Sequence, residues 1–344
     1  MKGDEFREDR RRARAWLSPE ELAPLTTLSN TRGALSVLQT LLLLACSLAL
    51  PWWVEWRFGH GLWVLPLSWL WTATQLHALF ILAHEAAHYR LFSHRGLNDA
   101  VGRALGGLGG VSMCTYRVTH RLHHNHLYGP QDPDTALHGG YPRGVAYLWR
   151  KLGQDLLGLN AWKTFAYFFG APAVNDDTGQ ALRPLDDTAP HLKAAARRDR
   201  WWVLACQVAL PLGCLAWAGA WGVLAYGVLW LVPLLCVLQP ILRLRAVFEH
   251  GAVPALDSPL KAARCNLTGR SRSGRPLDTA LNTLARALLF PHHVNHHLEH
   301  HLYPAVPHYR LPRLHRLLNA KGALHGAEVR DVRDTWHRVF AART

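Results

Sequence analysis

Three stretches without a single Asp, Glu, Lys or Arg set the terms for this 344-residue chain: Gly33 to Val54 (22 residues), Phe58 to Ala83 (26) and Trp201 to Leu242 (42). A helix needs about 20 mostly apolar residues to cross the hydrocarbon core of a bilayer. The first two runs are each long enough for one crossing and the third for two, and 42 residues is far too long for a buried core helix. Gly219 and Gly222 supply turn residues in the middle of the third run. The expectation is an all-α integral membrane protein with four transmembrane helices in two hairpins, spanning about 33–54, 61–83, 201–219 and 221–242.

The basic residues orient these spans. Of 38 Lys and Arg, only Arg57 falls in the first interspan loop, near 51–61, and none falls in the turn near 218–222. Arg7, Arg10, Arg11, Arg12 and Arg14 precede the first span, Arg197, Arg198 and Arg200 the third, and Arg243 and Arg245 follow the fourth. The positive-inside rule then places both termini and the 89–200 segment in the cytoplasm, most simply of a bacterial inner membrane. The net charge of +14 suits attraction to an anionic inner leaflet and implies no nucleic-acid partner. The first 32 residues are mostly polar, with no cleavable signal pattern. They form a basic N-terminal segment, followed by one membrane domain over 33–310 and a basic amphipathic C-terminal segment over 311–344, with "RLPRLHRLL" (310–318) at the junction. The six cysteines (46, 114, 206, 214, 236, 265) form no close pair and read as small buried hydrophobes, without disulfide or metal role.

The 22 histidines are concentrated at the cytoplasmic boundary of these spans. "HEAAH" (84–88) sits where the second span ends, "HRLHH" supplies His120, His123 and His124, and "HLEHH" supplies His297, His300 and His301. The fourth span ends in "RLRAVFEHG", which adds His250. Residues i, i+3 and i+4 share one helical face, so each of the two triple motifs is expected to present three imidazoles in one direction. Eight or nine neutral imidazoles can fill the coordination of two metal ions and are too many for one tetrahedral zinc. Imidazole alone allows iron, zinc, copper or nickel.

Two other classes compete. "HEAAH" alone reads as the helix of a zinc protease with Glu85 as base, but this leaves "HRLHH" and "HLEHH" without purpose, and no Asp, Glu or His lies between 201 and 242 to complete such a site. A metal transporter places polar ligands near the bilayer midplane; here His77 is the one good ligand type deep within a span, with a few Gln such as Gln75, Gln207 and Gln239. Glu85 reads as an orienting or solvent-facing group and His126 as a surface residue. Residues 104–116 and 161–174 read as interfacial or re-entrant helices and 175–200 as a polar connector.

"HEAAH", "HRLHH" with the downstream "DPD" (132–134), and "NHHLEHHLYP" (295–304) together resemble the membrane fatty acid desaturase superfamily, which includes hydroxylases, ketolases and oxidative decarboxylases. The resemblance covers most of residues 33–310. It implies a cytoplasmic helical cap carrying the histidine boxes, and a di-iron centre that uses O2 and two electrons to attack an unactivated C–H bond of a fatty acyl or other long-chain lipid. Desaturation is the leading outcome, because the "NHHLEHHLYPAVPHYRLP" form of the third box looks most like acyl desaturases. Hydroxylation, ketone formation and alkene-forming decarboxylation are alternatives. Carried over, the iron ligands are His84, His88, His120, His123, His124, His297, His300 and His301, with His250 as an additional ligand. Some relatives carry an Asn four residues before that last ligand; here the position is Ala246. The third box has a second register, His293, His296 and His297. Asp132, Asp134, Glu249, Glu299 and His296 are candidates to hold the ligating rings from behind. With no haem, iron–sulfur or CxxC motif, electrons are expected from a separate ferredoxin, rubredoxin or cytochrome system.

Overall fold

The computed structural model describes residues 15–129, 131–135, 140–174, 181–183, 185 and 188–341. The arginines at 7–14 and residue 180 of the expected cytoplasmic segment lie outside them. The chain begins with α1 (Pro19–Thr26), whose N-cap Ser18 and Glu21 exchange side-chain to backbone hydrogen bonds of 3.3 and 2.9 Å. Next come α2 (Asn30–Phe58) and, after a 3₁₀ turn over Gly61–Val64, α3 (Leu65–Ala87). Then follow α4 (Arg95–Leu108), α5 (Met113–His126), α6 (Val145–Leu156) and α7 (Ala161–Phe168). A short antiparallel pair, β1 (Ala173–Val174) and β2 (Ala181–Leu182), precedes α8 (Pro190–Tyr226). Two π-helical segments, Gly227–Leu231 and Pro233–Val237, connect α8 to α9 (Leu238–His250). The C-terminal part contains β3 (Cys265–Asn266), α10 (Pro276–Leu288), α11 (His297–Leu302), α12 (Leu311–Ala320), β4 (Val329–Arg330) and α13 (Val332–Val339), with β3 parallel to β4.

Three helical stretches among the described residues are long and apolar enough to cross a membrane: Asn30–Phe58, Gly61–Ala87 and Pro190–His250. The last is not straight. Ala218 (φ −139°) and Gly219 (φ 59°, ψ −142°) leave helical geometry, and a Cβ placed on Gly222 would lie 2.0 Å from the carbonyl oxygen of Cys214. Eight residues of continuous helix would instead separate these positions by about 12 Å of rise. The chain therefore folds back here, and only glycine tolerates both the left-handed φ and the contact. The helices also outrun the apolar runs. The segment 190–200, expected as connector, is the first three turns of α8, begun by Pro190 and sustained by good helix formers in "LKAAARRDR".

α3 is the axis of the molecule, with every residue from Thr72 to Ala87 buried. α2 and α8 expose Leu35, Leu38, Leu42, Leu204, Val208, Leu212 and Leu215 on their outer faces. A helix apolar all round belongs inside, whereas one with its apolar side outward faces lipid. Several polar groups in this region are paired internally, as a bilayer favours, although both ring nitrogens of buried His77 and Nε1 of Trp230 have no hydrogen-bond partner. Ser68 Oγ donates to the Ser47 carbonyl (2.6 Å), and Ser47 and Thr72 hydroxyls meet at 2.9 Å. The π-helical segments leave carbonyls that side chains satisfy: Trp69 Nε1 donates to Val228 O (2.8 Å) and Gln239 Nε2 to Leu234 O (2.9 Å).

One expectation needs correcting. Residues 104–116 are not one interfacial helix, because the chain breaks at Gly109–Ser112 between α4 and α5. Ser112 caps α5 and, with Cys114 N, donates to the buried Asp199 carboxylate of α8 (2.8 and 2.9 Å), which Arg103 of α4 also contacts at 2.7 Å. The basic helix α12 buries Leu311, Leu314 and Leu318 against Leu298, Leu302 and Val329. It is amphipathic, as expected, and its apolar face is covered by protein.

Candidate metal centre

The nine histidines singled out by the sequence come together as two adjacent clusters. His84, His88, His120, His124 and His300 form one; His123, His250, His297 and His301 form the other. In the first, the Nε2 atoms of His84, His120, His124 and His300 close a ring, with separations of 2.8 Å (84–120), 2.9 Å (120–124), 3.1 Å (124–300) and 3.1 Å (300–84). The His88 ring lies 4.7–5.0 Å, centre to centre, from each of these four. In the second, Nε2 atoms approach at 3.2 Å (123–250), 2.8 Å (250–297) and 3.0 Å (297–301). Rings of His124 and His301 stack at 4.2 Å between the clusters.

Hydrogen bonding does not account for this geometry. A proton on Nε2 lies in the ring plane and addresses one acceptor, so a closed ring of four such atoms is left under-bonded. A metal–nitrogen bond of about 2.1 Å places ligands at right angles about 3.0 Å apart, and tetrahedral ligands about 3.4 Å apart. Separations of 2.8–3.1 Å in the first cluster are close to those that an ion with more than four coordination positions would impose. Burial, then neighbouring imidazoles, holds His120, His124, His297 and His301 well below the ordinary histidine pKa, so each is neutral and offers a lone pair. At His123 burial also opposes charge, but Asp132 and Asp134 outweigh it and raise the pKa to about 9.

The expectation that each triple motif points one way is corrected. In "HRLHH" the i, i+4 pair His120 and His124 enters the first cluster and His123 the second; in "HLEHH" the pair His297 and His301 enters the second and His300 the first. Positions i+3 and i+4 are about 100° apart around a helix axis, which is enough to serve two centres. "HEAAH" adds its pair to the first cluster and α9 adds His250 to the second, giving five and four rings.

The groups behind the rings are unevenly foreseen. Asp132 Oδ1 lies 2.9 Å from His123 Nδ1 and fixes its tautomer, with Asp134 at 3.6 Å. Glu249 is paired with Arg245 (2.9 Å) and is 3.7 Å from His297 Nδ1. Glu299 and His296 turn instead toward Cys265 and His315. His293 and His126 belong to neither cluster. Glu85 is buried and accepts from the His308 backbone N (2.9 Å), with His308 Nδ1 at 3.2 Å, so it ties α3 to the segment after the third box rather than facing solvent. Three supports had no sequence signal. Arg264, fully buried, donates to the carbonyls of Phe248 (2.9 Å) and Gly251 (3.0 Å), clamping the end of α9 that carries His250. Tyr128 donates to His250 O (3.0 Å), and Tyr116 OH is 3.3 Å from His120 Nδ1.

A mostly helical chain with long apolar helices and paired polyhistidine clusters at their ends defines a class of membrane-associated protein with room for two metal ions. Comparison with known proteins narrows the class. Residues 60–333 match the family model described as fatty acid desaturase, about four-fifths of the sequence, and the chain belongs to that family. Similar curated proteins include the sn-1 oleoyl-lipid 12-desaturase of Anabaena variabilis, 30% identical over 101 residues (29% of this chain, 28% of the relative). The chloroplastic omega-3 fatty acid desaturase of Glycine max is 35% identical over 75 residues (22% and 16%). The sn-2 acyl-lipid omega-3 desaturase (ferredoxin) of Arabidopsis thaliana is 35% identical over 75 residues (22% and 17%). The matched segments span less than a third of the length of these relatives.

Proposed function

We propose that the chain is an O2-dependent di-iron oxidoreductase that introduces a C=C double bond into the acyl chain of a lipid. The observation that carries this reading is the division of nine histidines, eight of them buried and His88 half-buried, into adjacent clusters of five and four with Nε2 separations of 2.8–3.2 Å. Iron bound there would supply O2 activation; overall, O2, two electrons and two protons are consumed, two hydrogens leave neighbouring carbons, and two waters form. The protein's part is positional. Asp132, Arg264 and Tyr128 fix the tautomer of one ring and the helix end of another, and burial of the rings keeps bulk water from the reacting carbons.

Four crossings are supported by the reversal at Ala218–Gly219. Highly exposed tryptophans mark both ends of the apolar helices, with Trp56, Trp63, Trp217 and Trp221 near the reversals and Trp162, Trp201 and Trp202 near the opposite ends. His84 and His250 terminate spans on one side, so the centre sits at the membrane boundary beneath a helical cap, where an insoluble acyl chain can enter from the bilayer. The arginine asymmetry places that side in the cytoplasm, in our reading that of a bacterial inner membrane. Electrons would come from a separate carrier such as a ferredoxin, a rubredoxin or a cytochrome; one relative carries ferredoxin in its name.

The test is iron analysis of purified protein together with lipid products from an expressing host. About two irons per chain and new alkenes, lost in His124→Ala, are expected. One zinc per chain with peptidase activity lost in Glu85→Gln would overturn the reading. Alcohols, ketones or terminal alkenes would keep the scaffold and replace the reaction.

A further inference from the structure

A third group of ligating side chains lies outside both histidine clusters. Cys265 of β3, His296 and Glu299 at α11 and His315 of α12 bring one donor atom each to within 4.8 Å of one another. Cys265 Sγ is 3.5 Å from His296 Nδ1 and 3.8 Å from His315 Nδ1. Glu299 Oε1 is hydrogen-bonded with His315 Nδ1, and its other oxygen, Oε2, is 3.8 Å from His296 Nδ1. Cys265 and Glu299 are wholly buried, and Oε2 of Glu299 has no hydrogen-bond partner. A buried carboxylate oxygen left in this state costs free energy unless something positive meets it.

The geometry points to a third, structural metal site that takes zinc. With bonds of about 2.3 Å to sulfur and about 2.05 Å to nitrogen, tetrahedral zinc sets sulfur and nitrogen ligands about 3.6 Å apart. The two Cys265–histidine distances bracket that value. One thiolate, one carboxylate and two neutral imidazoles around a divalent ion sum to zero charge, which limits the desolvation cost of a buried site. A thiolate among the ligands selects zinc over the harder ions that nine imidazoles accept. Four protein ligands leave no open position, as in structural rather than catalytic zinc sites. The partial exposure of His296 and His315 (side chains 13% and 18%) provides the entry path.

The site has a definite task. Glu299 lies between His297 and His300, so an ion there ties the third-box helix to β3 and α12 from the side opposite the histidine clusters. It fixes the rotation of α11, and hence which cluster each of its rings enters. Cys265 is thus a ligand, not the inert hydrophobe its isolation in the sequence implied.

The experiment uses full-length protein in detergent, produced with both iron and zinc available, and reads metal content with zinc X-ray absorption. Wild type is expected to hold about one zinc with one sulfur neighbour at about 2.3 Å. Cys265→Ser and His315→Ala should each drop zinc roughly tenfold or more. Cys265→His keeps four ligating side chains, so its zinc should remain while the sulfur signal disappears, which separates a lost site from a failed fold. Zinc bound through nitrogen and oxygen alone in wild type, or iron-loaded protein that binds no zinc, overturns the assignment. The outcome is independent of the oxidase reading, because neither histidine cluster contains sulfur.

Discussion

His123 and His124 are consecutive in the chain, yet their Nε2 atoms serve different clusters, one 3.2 Å from His250 and the other 2.9 Å from His120. The same division separates His300 from His301. Each doublet is therefore a bridge between two centres.

Membership of a cluster should be visible one residue at a time. His250→Ala is expected to behave like His124→Ala, losing iron and turnover together, whereas His126→Ala stays active. Removing a ligand forfeits metal binding energy, while the change at half-buried His126, outside both clusters, is expected to cost within about 0.5 kcal/mol. Iron per folded chain and turnover check this; wild-type values in His250→Ala would leave eight ligands.

Asp132 should matter although it belongs to neither the five- nor the four-histidine cluster. It accepts from Tyr128 N (2.9 Å) and Asp134 N (2.9 Å) as well as holding His123. Asp132→Asn is expected to weaken iron retention or activity about 10–100-fold. A chelator competition assay measures it, and retention equal to wild type would remove Asp132 from the site.

Topology is checked with reporters. A fusion after Gly59 should report the external side, and fusions after Gly158 and Gly322 the cytoplasm, from the arginine asymmetry. An external signal at Gly158 would contradict the proposed orientation.

Asp199 is a stability position without a place in either cluster. Its carboxylate joins α8 to Arg103 of α4 and to the cap of α5. Asp199→Ala leaves those donors without their acceptor and should cost about 3 kcal/mol, read as a lower melting temperature of the purified protein. A change within about 0.5 kcal/mol would mean that the network contributes little.

Glu328 supplies a pH dependence. Burial pushes its pKa up, but Arg330 and Arg264 outweigh burial and hold it below the ordinary 4.5. A carboxylate depressed in the folded state contributes stability above its unfolded pKa and loses it as pH falls toward the folded value. The stability difference between wild type and Glu328→Gln should therefore be constant above about pH 5 and shrink below it. Thermal melts across pH 3 to 7 measure the difference, and a pH-independent gap would refute the linkage.

How much of this was legible in the sequence depends on range. Charge-free runs announce spans because desolvation acts residue by residue, and the histidine motifs announce ligands because a ring and its i+4 neighbour lie within one turn. The split of each motif was not legible: 100° between i+3 and i+4 reads as one face until two centres are present to divide it. Arg264 and Glu328 were missed for a related reason. Their partners lie on other elements, brought close by the β3–β4 pairing, and no local spacing encodes such a contact.

The crossed donation of α5 and α11 has a thermodynamic consequence. If the proposed function holds, each helix gives a pair of rings to one centre and a single ring to the other, so an ion in the first centre would restrain His301 and the helix carrying His123 before a second ion arrives. The second ion would then meet rings whose ordering entropy is already spent, and its affinity would rise accordingly. Metal uptake should be sigmoidal in free iron, with singly loaded chains scarce. A population of this protein would then consist of empty and complete molecules, and partial supply would lower the number of competent chains instead of the competence of each.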